Sequence, residues 1–168
     1  MINFGIALGS NLGDRLGNLR DAVRRLVESD VRLLAAAPVY ESEPVDCPAG
    51  SQNFFNTVIE VEAKMEPLEL LETLRAIEME LGRAENREHH APRTVDLDLL
   101  YAGFEVMERD ELTLPHPRMT VRRFVLQPLA DIHPELILPG QERTVAELLQ
   151  ALVSVEPPLK LVAHDWLK

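Results

Sequence analysis

The chain has 168 residues, 46% of them hydrophobic and 27% charged, with a formal net charge of −11, which describes a single soluble globular domain with room for a sizeable core. So acidic a balance excludes a general nucleic-acid or anionic-membrane surface, because those partners require a broad basic field. No apolar run approaches the ~18 residues needed to cross a bilayer, and the N-terminal MINFG lacks a signal-peptide pattern, so a cytoplasmic location is expected.

Residues 2–8 predict a first strand, and a turn at residues 9–13 leads into a helix over residues 14–28 with Leu19, Val23, Leu26 and Val27 on one side. Residues 31–43 predict one second strand, and the Pro- and Gly-bearing residues 44–51 a loop. Cys47 in that loop is the single cysteine, which removes an internal disulfide and a cysteine-based zinc cluster; with no adjacent histidine it reads as incidental rather than nucleophilic. Residues 54–62 predict a third strand with Phe55, Thr57, Ile59 and Val61 alternating. A helix then opens at Pro67, repeats Leu70, Leu74, Ile77 and Leu81 at helical spacing, and closes at Gly82. Residues 83–92 are polar and irregular. A strand, a short hairpin through residues 103–114, a loop at 115–117, helices near 121–130 and 145–152 and a strand near 159–162 complete the chain. With no repeat or linker, one domain spans residues 1–168. Its element order is that of the ferredoxin-like split unit, an α+β sandwich with a mainly antiparallel sheet, helices packed on one face and the C-terminal helices added to it.

The segment RTVDLDLL, residues 93–100, holds two carboxylates inside an apolar strand. Alternation directs Val95, Leu97 and Leu99 to a core, and Asp96 and Asp98 together to the opposite face. Two like charges so close cost free energy unless a cation or an array of donors lies between them. Magnesium suits such a pair, because it takes one or two carboxylates and completes its shell with phosphates and water. The alternative is a pair of solvent-facing strand carboxylates. Only three of the 17 basic residues are lysines, and six arginines fall in two stretches: Arg83, Arg87 and Arg93, then Arg118, Arg122 and Arg123. Arginine forks match phosphate oxygens, so an acidic chain with local arginine clusters beside an aspartate pair suits a small polyphosphate ligand. Neither the G-x-x-x-x-G-K-[ST] loop nor G-x-G-x-x-G occurs, which would leave the phosphates of a nucleoside triphosphate to arginines and metal. Phe54 and Asn56 share a strand face. They suit a planar heterocycle stacked and read along its edge, or else are a core phenylalanine beside a turn-bonded asparagine.

Together these stretches resemble the 6-hydroxymethyl-7,8-dihydropterin pyrophosphokinase family of folate biosynthesis. The resemblance runs through ALGSNLGDR (7–15), PVYESEP (38–44), FFNTVIEVE (54–62), IEMELGR (77–83), APRTVDLDLL (91–100), LTLPHPRM (112–119) and FVLQPLADI (124–132). It implies a ferredoxin-like monomer that transfers diphosphate from ATP to the pterin hydroxymethyl group and releases AMP. It further implies that Asp96 and Asp98 bind two Mg²⁺ ions bridging the ATP phosphates, with Arg83 and Arg93 completing the catalytic set. Arg83, Arg93 and Arg122 would neutralise phosphate charge, His116 would contact the phosphates, and Glu78 would lie at the rim of the nucleotide site. Phe54 and Phe124 would sandwich the pterin, Asn56 would read its edge, and Ser42, Pro44 and Val45 would supply hydrogen bonds and packing.

The chain departs from that pattern where relatives carry a second arginine, an aromatic residue and a glycine: it has Glu85, His90 and Ala91. Arg87 or the neighbouring histidines are the available substitutes. It also has Pro117 where some relatives have tyrosine. The run Glu88, His89, His90 reads as a polar loop rather than a zinc site, since it lacks a matched second pair of ligands. Two rival readings belong to other classes. A nucleotidyltransferase also pairs Gly-Ser with Asp-x-Asp, although those motifs stand far apart here, at residues 9–10 and 96–98. A non-catalytic ferredoxin-like binding module would need neither metal nor His116.

Overall fold

The computed structural model describes residues 1–43, 49–82 and 94–168. Strand β1 (Ile2–Ser10) is followed by helix α1 (Arg15–Glu28), β2 (Arg32–Ala36), β3 (Val39–Ser42), β4 (Phe54–Ala63), α2 (Pro67–Glu80) and β5 (Asp96–Ala102). A two-stranded ribbon of β6 (Met107–Glu108) and β7 (Thr113–Leu114) precedes α3 (Arg123–Ile132), α4 (Val145–Ala151) and β8 (Lys160–Ala163). The main sheet runs β5-β1-β4-β3-β8, β2 pairs β4 beside β3, and every pairing is antiparallel. No helix of the described residues is long and apolar enough to cross a membrane.

Helix α1 starts where the Asp14 side chain accepts a hydrogen bond from Gly17 N and satisfies one of the otherwise unpaired first-turn donors. It buries Leu19, Ala22, Val23 and Leu26, while Val27, expected on the same side, is exposed. Helix α2 opens at Pro67 inside a capping box formed by Glu66 and Glu69, and the chain leaves it through Gly82 at φ +100°, a conformation glycine adopts without steric cost.

The single strand expected over residues 31–43 is two, because Pro38 has no N–H to give the ladder. Ala37 N still donates to Val58 O of β4 at 3.0 Å, the ladder is interrupted at Pro38, and the Thr57 hydroxyl serves the Ala37 and Pro38 carbonyls at 3.0 Å each. The Trp166 indole N–H also donates to Ala37 O, at 2.8 Å, fixing the C-terminal segment over the break.

The sheet divides two cores. Phe4, Ile6, Leu8, Ile59, Val61, Val95, Leu97 and Leu99 meet α1 and α2 on one face. Ala7, Val58, Leu100 and Tyr101 meet α3 and α4 on the other. The C-terminal helices therefore cover the face that a simple two-layer sandwich leaves open. Alternation along β5 holds until a register shift opposite Gly5 and Ile6, which puts Leu100 and Tyr101 into the same core.

Tyr101 lies flat over Gly5 and donates to Glu60 Oε2 at 2.7 Å, and His133 Nδ1 lies 2.9 Å from that same oxygen. Burial, reinforced by Glu60, pushes the phenol far above its ordinary range, so it stays protonated and can donate to Glu60. A Cβ at Gly5 would stand 2.1 Å from the Tyr101 ring, which cannot swing away without breaking that bond. Gly5→Ala is expected to cost at least the ~1–3 kcal/mol of an overpacked core, read as a lower denaturation midpoint in urea.

Candidate active site

The site grows from one row across the sheet. Gly9 of β1 pairs with Asp96 on one side and Asn56 on the other, and Asn56 pairs in turn with Tyr40 of β3. Residues opposite one another share a face, so Asp96, Gly9, Asn56 and Tyr40 line up on the α3 side. Asp98, Ala7 and Val58 form the next row. Asp96 and Asp98 point away from Val95, Leu97 and Leu99, which are buried in the opposite core.

Gly9 forms the floor between the aspartates and the aromatic end. A Cβ there would meet Asn56 Oδ1 at 3.2 Å and Phe54 at 3.6 Å. Asn56 is 6% exposed, and its amide donates to Ser42 Oγ at 2.6 Å. That bond fixes which side of the amide is presented along the sheet and makes Ser42 a partner of Asn56. Phe124 and Arg122 enter from the start of α3, with the Arg122 guanidinium 5.6 Å from the Phe124 ring centre. Tyr40 ties that helix down by donating to Asp131. Burial, helped by Asp131, pushes its phenol up to about 12.

A cleft of about 390 Å³ opens beside β5, lined by Arg75, Glu78, Asp98, Leu99, Thr113 and His116 among others. Glu78, 6% exposed on α2, accepts a 3.0 Å hydrogen bond from Leu97 N. β5 is a sheet edge, and Leu97 stands between the two aspartates. Glu78 therefore occupies the outer edge of the very strand that presents the carboxylate pair, a contact with no signature in the sequence. Lining by Arg75, Asp110, Glu111 and Thr113 is likewise illegible in the chain, since those residues come from a helix and a ribbon distant in sequence.

His116 is held by two backbone bonds: its N–H donates to Leu100 O at 2.7 Å, and its Nδ1 accepts from Arg118 N at 3.1 Å. The neutral ring therefore carries its proton on Nε2. Burial lowers its pKa first; the Asp98 charge opposes this, while Arg122 and Arg118 add to it. A neutral Nε2–H beside Asp98 is a donor for an anionic oxygen in the cleft.

Among the described residues no group of three or more His, Cys, Asp or Glu gathers to hold a metal. The donor set is the two-carboxylate pair. That fits Mg²⁺, which readily leaves the rest of its shell to phosphate oxygens and water, and does not fit a closed structural zinc site. Arg83, Arg93, Pro44 and Val45 lie outside the described residues, as do Cys47, Glu85, Arg87, Glu88, His89, His90 and Ala91.

A family model described as 7,8-dihydro-6-hydroxymethylpterin-pyrophosphokinase matches residues 5–134. The 2-amino-4-hydroxy-6-hydroxymethyldihydropteridine pyrophosphokinase of Pseudomonas aeruginosa is 42% identical over 87% of this chain and 89% of its own length. The Bacillus subtilis protein of the same name is also 42% identical, over 89% of this chain and 87% of its own. The Pneumocystis carinii folic acid synthesis protein fol1 is 36% identical, and the chain spans only 20% of it. A Plasmodium falciparum HPPK-DHPS crystal structure shares the fold at TM-score 0.68 and 14% identity, over 89% of this chain and 45% of that one.

Glu78→Ala, which removes the acceptor of a buried strand-edge N–H, is expected to cost roughly 1–3 kcal/mol, measured by urea denaturation. His116 generates a pH prediction. Its folded-state pKa lies below the ordinary 6.5, so the unfolded chain binds the proton more readily. The stabilisation is complete above 6.5 and is lost as pH falls through the depressed folded value. Melting temperature should fall less steeply across that acid window in His116→Gln than in the unaltered chain.

Proposed function

Because the chain belongs to the 7,8-dihydro-6-hydroxymethylpterin-pyrophosphokinase family, we propose that it transfers a diphosphoryl group from ATP to the hydroxymethyl oxygen of 6-hydroxymethyl-7,8-dihydropterin, releasing AMP, as a step of folate synthesis. The observation that carries this reading is the row Asp96, Gly9, Asn56. It joins a cation-binding pair and a heterocycle reader on one face, two strand spacings or roughly 10 Å apart. That span suits a bicyclic pterin whose hydroxymethyl arm reaches toward the carboxylates.

In this reading the pterin lies over Gly9 between the Phe54 and Phe124 rings, with Asn56 reading its edge and Ser42 fixing that amide. Pro44 and Val45 are assigned to the same subsite on the family resemblance alone. The ATP phosphates lie toward Asp98 and His116, whose neutral Nε2–H donates to a phosphate oxygen, and Arg122 adds positive charge. Arg83 and Arg93 are assigned to the phosphates by the resemblance. Asp96 and Asp98 would hold two Mg²⁺ ions, which when bound supply positive charge against the charge accumulating on the transferred group. Little covalent work falls to the protein; alignment and charge placement carry the reaction. The hydroxymethyl oxygen bonds to the β-phosphorus, the bond from that phosphorus to the α,β-bridging oxygen breaks, and AMP leaves with that oxygen. The hydroxyl proton passes to solvent on the side of exposed Asp98. A monomer suffices, since every residue named belongs to one chain.

Incubation with ATP, Mg²⁺ and the pterin, with nucleotides resolved by chromatography, tests the reaction. AMP formed in step with a pterin diphosphate supports it. Release of free diphosphate with AMP transferred to the acceptor would instead indicate a nucleotidyltransferase, and bound pterin without turnover a binding module. Asp96→Asn and Asp98→Asn are each expected to lower kcat by on the order of 10²-fold or more while pterin binding without nucleotide persists.

A further inference from the structure

Arg15, the first residue of α1, makes three contacts on the sheet face opposite the pterin subsite. Its Nη1 donates to Glu41 Oε2 at 3.1 Å and to the Asn53 carbonyl at 2.8 Å. Its guanidinium carbon stands 3.9 Å from the Phe55 ring centre. Glu41 and Phe55 are directly paired across β3 and β4, and the pairs on either side of them are Ser42 with Phe54 and Tyr40 with Asn56. Because side chains alternate faces, each contact grips the strand pair from behind the residues that face the pterin. Asn53 is the residue before Phe54, and Glu41 the residue before Ser42. Arg15 and Glu41 retain only 22% and 25% side-chain exposure. A guanidinium whose Nη1 bonds two acceptors while its carbon sits over a ring is far more restricted than an exposed ion pair.

We propose that Arg15 is a positioning residue for pterin recognition. It locks β3 against the start of β4, so that the Ser42 hydroxyl, the Asn56 amide and the Phe54 ring keep the spacing that reads the heterocycle. The proposal deepens the pyrophosphokinase reading and rests on it. Arg15 touches neither substrate; it acts through Glu41, Asn53 and Phe55. The nucleotide cleft, built from α2, β5 and the ribbon, shares none of these contacts. Loss of Arg15 should therefore separate the two substrates.

Direct pterin binding by fluorescence titration and steady-state constants for both substrates test this, on the full chain bearing Arg15→Met, Arg15→Lys or Glu41→Gln. Arg15→Met keeps an unbranched apolar side chain and removes the guanidinium, with both hydrogen bonds and the cation over Phe55. It is expected to weaken pterin binding by about tenfold, a loss typical of one charge-assisted contact, with the KM for ATP within about twofold of the unaltered chain. Arg15→Lys should recover only part of the loss, because an ammonium can donate to both acceptors but lacks the planar guanidinium that lies over Phe55. Glu41→Gln should move pterin affinity in the same direction by less, and supplies the same readout should Arg15→Met fail to fold. Unchanged pterin affinity in Arg15→Met, or equal losses for pterin and ATP, would overturn the positioning role. Absence of pterin binding or of AMP formation by the unaltered chain would overturn the functional reading itself, a result visible before any variant is made.

Discussion

The two-sided character of β1 is the constraint on which the other parts depend. Along Ile2–Ser10 the bulky Phe4, Ile6 and Leu8 fall on one face and Gly5, Ala7 and Gly9 on the other. The bulky face fills the core under α1 and α2. The small face is a floor with almost no side chains, and each of its positions has a different use. Gly5 takes the Tyr101 ring, Ala7 packs within the second core, and Gly9 leaves room beside Phe54 and Asn56. Glycine inside a strand ordinarily weakens it. Here the central strand is held by β4 and β5 on either side, and the open face it gains is where two neighbouring strands bring a carboxylate and an amide together.

Electrostatics explains why that face needs more than shape. The cleft wall includes Glu78, Asp98, Asp110 and Glu111 against Arg75 and His116. A wall so rich in acid is a poor anion site alone and a good one for an anion that arrives with divalent cations. Glu78 is best understood through the strand it supports: its carboxylate closes the outer edge of β5 at Leu97, holding straight the segment from which Asp96 and Asp98 project. His116, neutral because it is buried, contributes a hydrogen bond without adding charge.

Helix α3 is the roof over this floor and is tethered at several points. Tyr40 binds Asp131, His133 approaches Glu60, and Arg123 reaches the Leu152 carbonyl at 3.3 Å. These contacts fix where Phe124 and Arg122 stand relative to Phe54 and Asp98, from beyond the site itself. The order of elements places α3 after the split unit is complete, so the fold supplies the floor and the C-terminal addition brings Arg122 and Phe124 to it.

By itself the sequence determined the period of each element and the faces of its strands. The strict alternation in RTVDLDLL set Val95, Leu97 and Leu99 inward and the two aspartates outward, because a strand has only two faces. Pro67 and Gly82 bounded α2 by their backbone preferences. The element order specified the ferredoxin-like sheet, and the motif stretches specified the family. Pro38 was present to be read as a strand break, yet its effect required knowing that β2 and β3 share one edge of β4. What only the tertiary structure decided were the contacts between segments distant in the chain: Glu78 on the β5 edge, Ser42 on the Asn56 amide, Arg15 behind the β3 and β4 pair, and α3 on the second face. Local sequence fixes local geometry through sterics and periodicity. Partners at long separation depend on strand register and helix docking, which are settled only when the whole core packs at once.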